Sequence, residues 1–208
     1  MKIALIGAQG VGKSTLSKLL YEELPGSVFV KETIRECPYG LDEDTDFKTQ
    51  WWALSHGILA EQEALEKKAK AIISDRCIID AVVYAQIVHR LNSSKISAEQ
   101  FELVVQSAKN WIKLQPYDHV FFIKVNSSIW ETRDIDDGFR STSLEWYRSL
   151  ESEFNSTIKL LDVQKASNFK VINNDDSIEE ALSSILIELS HNNDFRQLWP
   201  SSRSVLLK

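Results

Sequence analysis

Cysteine is nearly absent from this sequence, with only Cys37 and Cys77 in 208 residues. Thiols so few and so far apart exclude a disulfide framework and a cysteine metal site, and fit idle thiols in a reducing compartment. Positive charge is also short. Twenty-four Lys and Arg stand against thirty Asp and Glu, a formal net charge of −6. That balance argues against a protein that coats nucleic acid, although it leaves room for a local basic lip. Apolar runs never approach the roughly 20 residues of a membrane helix, so no membrane partner is expected. No secretory pattern precedes the first strand-like segment, and a cytoplasmic protein of a bacterium or a phage-infected cell is expected. Seven glycines and four prolines are too few for a flexible linker. Repeats and low-complexity tracts are missing too, so one domain over residues 1–208 is expected. The 43% hydrophobic content is ordinary for a globular chain long enough to bury a core.

What is present begins at Gly7-Ala8-Gln9-Gly10-Val11-Gly12-Lys13-Ser14, followed by Thr15. The spacing is that of a phosphate loop: Gly, four residues, Gly-Lys-Ser. Lys2 to Ile6 reads as a buried strand before it, and Leu16 to Leu24 as a helix after it with Leu16, Leu19 and Leu20 on one face. Glycines let such a loop curl until successive N–H groups point inward, and the helix N-terminus adds partial positive charge. Gly7, Gln9, Gly10, Val11, Gly12, Lys13, Ser14 and Thr15 are therefore the expected donor-binding residues. Lys13 is expected to reach the β/γ-phosphates, Ser14 to hold Mg²⁺ and Thr15 to add a phosphate contact. ATP and Mg²⁺ are the implied cofactors.

After a Pro25-Gly26 turn, Ser27 to Val30 reads as a second strand ending in Lys31-Glu32, with Arg35 just beyond. A long helix is predicted from Phe47 to Lys70, its stripe built from Trp51, Ser55, Ile58, Leu59, Leu65 and Ala69 and interrupted by Gln62. Ala71 to Arg76 is the third strand, closing on Asp75-Arg76. Helices follow at Ile79–Leu91 and after the capping box Ser97-Ala98-Glu99-Gln100. His119 to Val125 reads as a central parallel strand, and Arg133 to Arg140 as a charged lid loop, about 131–143. A helix over Leu144–Leu161, a strand over Asn168–Ile172 and a helix opened by Ser177 complete the pattern. The tail from His191 has none. The order βαβαβααβαβα predicts an α/β three-layer fold with a five-stranded parallel sheet and helices on both faces.

In such a sheet ligands gather beyond the carboxyl ends of the strands, which brings Glu32 to the phosphate loop. A five-residue strand covers roughly 17 Å, about eleven residues of helix. Asp75 is thus expected level with Leu59 to Gln62, and Gln50 to His56 as a pocket wall. The four histidines lack metal-like spacing and receive no role. A GTPase would need Asn-Lys-x-Asp, and an AAA-type or helicase ATPase would usually carry Asp-Glu where Asp75-Arg76 stands. A transporter ATPase would need a Ser-Gly-Gly-type signature. None is here, and a compact kinase remains.

Asp75-Arg76-Cys77, with Asp80 and Tyr84 behind it, resembles the Asp/Glu-Arg-Ser segment of deoxynucleoside and thymidylate kinases. Cys77 stands where that segment usually has Ser, so no hydroxyl contact carries over there. Gln50 precedes Asp75 by a spacing similar to that of the base-reading glutamine of deoxynucleoside kinases. The loop, Glu32-x-x-Arg35 and Asp137-Gly138-Phe139-Arg140 together resemble the AAA_28 family. That group includes the nicotinamide riboside kinase domain of NAD-salvage proteins and many phage kinases. The resemblance runs from residue 1 to about 160.

Phosphoryl transfer needs positioning and charge compensation more than covalent chemistry. Lys13, Glu32, Asp75, Arg76 and Arg140 are the expected catalytic set. Glu32 is the candidate general base, or at least the holder of the acceptor hydroxyl, and the resemblance implies the same role. Asp75 joins Ser14 at the metal, and Arg76 and Arg140 clamp the phosphate. Glu32, Arg35, Gln50, Gln62, Arg76 and Arg133 are expected to meet the acceptor, with Trp51 and Trp52 as planar walls. The expected reaction moves the γ-phosphate of ATP to a hydroxyl or phosphate of a nucleoside, deoxynucleotide or nicotinamide riboside. Two alternatives stay open: a phage-type kinase acting on a hydroxyl of DNA or RNA, and a non-catalytic nucleotide sensor. A homodimer is compatible with all three.

Overall fold

Strand β1 (Lys2–Ile6) is buried at every position, as an apolar run without polar alternation must be when both faces of a sheet are covered. The computed structural model describes residues 1–40, 44–133 and 144–199. β1 lies between β3 (Ile72–Asp75) and β4 (His119–Lys124). Outside them run β2 (Val28–Val30) and β5 (Asn168–Asn173), giving the all-parallel order β2-β3-β1-β4-β5. The chain passes from β1 to one edge and then returns to the other, so a topological switch point sits at β1. The crevice beyond its carboxyl end is where an open α/β sheet takes its ligands.

The helices are α1 (Lys13–Glu23), α2 (Phe47–Glu66), α3 (Ile78–Leu91), α4 (Ala98–Leu114), α5 (Ser127–Trp130), α6 (Leu144–Leu160), α7 (Val163–Ala166), α8 (Ile178–Ser190) and α9 (Asn193–Leu198). Asp46 caps α2 by accepting from the Lys48 and Thr49 amides, and Ser97 and Gln100 close the capping box of α4. Leu16 and Leu20 of α1, Phe121 of β4, and Leu150 and Phe154 of α6 are fully buried, each contributing about 1.5–3 kcal/mol. Among the described residues no helix is long and apolar enough to cross a membrane.

The sequence reading omits the short helices α5 and α7, and larger departures lie in α2 and the tail. Helix α2 stops at Glu66 instead of Lys70, where Lys68 turns left-handed at φ 50°. The tail without a pattern forms α9. Asn192 caps it, Phe195 and Trp199 are buried, and the Trp199 indole donates to the Pro25 carbonyl at 3.2 Å. The stripe assigned to α2 is rotated: Leu59 is 60% exposed, while Leu54, Glu61 and Ala64 are buried.

Glu61 shows why. Its carboxylate takes the Lys2 ammonium at 2.7 Å, the Trp111 indole N–H at 2.6 Å and the Tyr117 hydroxyl at 2.6 Å. Every donor is buried with it, so removing the carboxylate leaves a buried ammonium without its counter-charge, with only the Gln115 carbonyl at 2.9 Å and the Trp111 and Tyr117 rings beside it. Glu61→Ala is therefore expected to destabilise the protein by about 3–5 kcal/mol. Urea unfolding checks this; a change below about 1 kcal/mol would mean that water reaches Lys2.

Candidate functional site

Gly7 begins the loop at φ +143°, and a Cβ there would sit 2.4 Å from the Ile123 carbonyl oxygen of β4. Only glycine fits so close an approach. Gly12, at φ 90°, occupies the N-cap of α1 without a side-chain cap. The first-turn amides of α1 thus lack intrahelical acceptors and face the site as anion donors. Ser14 and Thr15 are exposed beside them. The Lys13 side chain is buried and folds back to donate to the Ala8 carbonyl at 2.5 Å.

Register brings the other charged groups to this loop. Leu5 of β1 pairs with Asp75 of β3, and Val30 of β2 with Ser74. Two residues further on each strand, Glu32 and Arg76 stand opposite one another. The Arg76 Nε meets Glu32 Oε1 at 2.5 Å, and its Nη1 meets Asp80 Oδ1 at 3.1 Å. Arg76 holds this position at φ 67°, a left-handed turn uncommon for a branched charged chain. Cys77 follows, its amide donating to Asp80 Oδ2 at 3.0 Å, so Asp80 both caps α3 and grips the guanidinium.

Electrostatics follow from burial. Desolvation, helped by the neighbouring Arg76 charge, brings the Lys13 ammonium down from its ordinary 10.5 to about 7; Asp80, Glu32 and Asp75 offset this only in part. Desolvation likewise raises the Asp80 carboxyl to about 6 against the pull of Arg76 and Lys13. Burial works against the charged Arg76 too, but Tyr84, Glu32, Asp80 and Asp75 outweigh it and hold the guanidinium above its ordinary value. Asp75 differs from these partners. Its Oδ1 is buried with no hydrogen-bond partner among the described residues. A buried carboxylate oxygen left open beside a phosphate loop fits a hard cation. Mg²⁺ takes one or two protein oxygens and completes its shell with phosphate and water. Among the described residues no cluster of three His, Cys, Asp or Glu could hold a metal alone; Ser14 and Asp75 are the residues that could share one with donor phosphates.

A cavity of about 630 Å³ opens from this cluster between α2 and α3. Gln9, Glu32, Arg35, Gln50, Asp75 and Arg76 all line it. Gln50 is only 5% exposed and belongs to the cavity wall. Ala53, Gly57 and Ala60 make the rest of the α2 wall small. Gln62 is not brought there: it points away and donates to Glu66 at 3.1 Å, and Glu61, one residue earlier, lines the cavity instead. Trp51 stacks on Phe47 and Trp52 on His56, and neither forms a wall of it; Trp146 does. Arg133 lies behind the phosphate loop, donating to the carbonyls of Gly10 (3.1 Å) and Asn174 (2.5 Å). Arg140 and the lid over 134–143 lie outside the described residues. Asp80 carried a visible signal, an acid in the first turn behind Asp75-Arg76. For Asn174, Trp130 and Trp146 no motif pointed to the site.

The AAA_28 family model, described as an AAA domain, matches residues 2–169. A curated thymidylate kinase of Malacoplasma penetrans (strain HF-2) is 29% identical over 153 residues, 65% of this chain and 67% of that protein. Deoxyadenosine kinase from M. mycoides with bound dCTP superposes with a TM-score of 0.65 at 22% identity, over 92% of this chain and all of that one. NadR in complex with NR gives 0.67 at 17% identity, over 90% of this chain and 51% of that one. At these identities the two structures establish the fold, a five-stranded parallel phosphate-loop architecture.

Proposed function

The chain belongs to the AAA_28 family, and on that premise we propose that it is an ATP-dependent phosphotransferase whose acceptor is a hydroxyl of a nucleoside-like small molecule. One observation carries the reading: the Glu32 carboxylate sits on Arg76 at 2.5 Å in the wall of the cavity that runs up to the phosphate loop. A carboxylate at that edge accepts a proton from a hydroxyl within hydrogen-bond reach. Arg76 is already engaged by Glu32 and Asp80, and Asp75 and Asp80 add negative charge to the same wall. Glu32, Asp75 and Asp80 gather at this end, which suits a neutral hydroxyl, while Lys31, Arg35 and Lys95 supply positive charge elsewhere in the cavity wall.

The chain's own groups have separable tasks. Lys13 and the loop amides hold the donor phosphates. Ser14 and Asp75 hold Mg²⁺, which supplies charge compensation when bound. Glu32 orients the acceptor hydroxyl and takes its proton, and Gln50 offers a paired donor and acceptor to a planar ring. The thymidylate kinase relative favours a second reading, with a nucleoside monophosphate as acceptor. Transfer from γ-labelled ATP separates the two. Nucleosides, including nicotinamide riboside, are expected to take label at least about tenfold faster than their monophosphates, a preference of about 1.4 kcal/mol. A monophosphate preference would reverse the acceptor assignment. Label on an oligonucleotide, or ATP binding without any transfer, would replace it with the polymer or sensor reading.

A further inference from the structure

The phosphate loop is held from behind by side chains that belong to no phosphate-loop motif. Five consecutive carbonyls, Ala8 to Gly12, each accept a hydrogen bond. Lys13 Nζ serves Ala8 and the Leu16 amide serves Gly12, both from within the loop and its helix. The other three donors come from the far half of the chain. The Trp130 indole donates to Gln9 at 2.9 Å, Arg133 Nη1 to Gly10 at 3.1 Å and Asn174 Nδ2 to Val11 at 2.8 Å. Arg133 Nη2 also donates to the Asn174 carbonyl, so these two donors are locked to each other. Trp130 and Asn174 are buried, and Trp130 stacks on Tyr147 with ring centroids 4.7 Å apart. A Cβ on Gly12 would come within 2.5 Å of Asn174 Nδ2, so the fit is close.

A carbonyl and the following amide belong to one rigid plane. Turning the Gln9, Gly10 and Val11 carbonyls outward onto fixed donors turns the Gly10, Val11 and Gly12 amides the opposite way, into the cradle. We infer that Trp130, Arg133 and Asn174 are positioning residues that hold the phosphate loop in its anion-binding form before ligand arrives. The cost of orienting these amides is then met by folding, not by binding. The inference rests on the nucleotide-binding reading of the loop, but not on the acceptor.

The test uses Asn174→Asp, Arg133→Met and Arg133→Lys in the full chain, with calorimetric titration of ADP and of inorganic tripolyphosphate. In Asn174→Asp a carboxylate replaces the donor facing the Val11 carbonyl; Arg133→Met removes both guanidinium bonds. Each is expected to weaken both ligands by about tenfold while the KM for the accepting nucleoside stays within about twofold. Arg133→Lys, able to serve one carbonyl but not two, is expected to recover part of the loss. A merely structural role would shift both substrates together. If Asn174→Asp fails to fold, the Arg133 pair, on a half-exposed side chain, carries the test alone. ADP and tripolyphosphate affinities within twofold of the parent, or an equal shift in acceptor KM, would overturn the inference while leaving the nucleotide site standing. A parent protein that binds neither ligand would overturn both.

Discussion

Replacing Lys13 with alanine is expected to abolish phosphoryl transfer, lowering kcat/KM by about three orders of magnitude. The ammonium is buried beside the loop amides and bonded to the Ala8 carbonyl, the place from which it can turn to donor phosphates. Stability should not fall with activity. Desolvation dominates this lysine, so the fold gains nothing from its charge, and Lys13→Ala is expected to unfold at the same or higher urea concentration. The pH response follows from the same cause. In the free protein Lys13 is charged below about pH 7 and neutral above it, whereas bound polyphosphate favours the charged form. ADP binding at pH 8 should therefore take up close to one proton, and affinity should fall about tenfold per pH unit as pH rises above 7. Calorimetry in buffers of different ionisation enthalpy measures that proton. Uptake persisting in Lys13→Ala would assign it to another group.

Glu32→Gln is the second large effect, acting on turnover instead of binding. The amide keeps the shape and its oxygen can still accept from Arg76 Nε, while Asp80 retains the other side of the guanidinium. What it loses is the capacity to take a proton. A fall in kcat of about 10²–10⁴-fold is expected, with ADP affinity within about twofold of the parent. Single-turnover rates together with ADP titration separate the two quantities. A variant that retains nearly full turnover would exclude Glu32 as the base and leave it an anchor for Arg76.

The phosphate loop was legible because its chemistry is contiguous. Glycines at fixed offsets, a lysine and a serine supply the donors of an anion site from one stretch of chain and the helix that follows, whatever holds the loop's carbonyls from behind. Glu32 and Asp75-Arg76 were legible for a related reason. Each ends a short apolar strand, and parallel strands bring their carboxyl ends to one edge. α2 was not. Its buried face carries Thr49, Gln50 and Glu61, so hydrophobic periodicity draws the apolar stripe through Leu59, which is exposed, and places its polar break at Gln62 instead of Glu61. Helix α9 escaped for a different reason. Six residues are too few to show a period, and its burial rests on Phe195 and Trp199 entering the core, with Trp199 bonded to the Pro25 turn.

By itself the sequence determined the strand-loop-helix unit, the parallel α/β class and the charged residues at the sheet edge, all of which depend on neighbours within a few positions. The tertiary structure decided which polar side chains are buried and what they serve. Glu61 is tolerable in the interior because Lys2 pairs with it and Trp111 and Tyr117, 50 and 56 positions away, donate to it. Arg133 and Asn174 reach the phosphate loop from 123 and 163 positions away. Burying a charge or orienting a peptide requires a partner in space, and no local pattern of residues records which distant partner arrives.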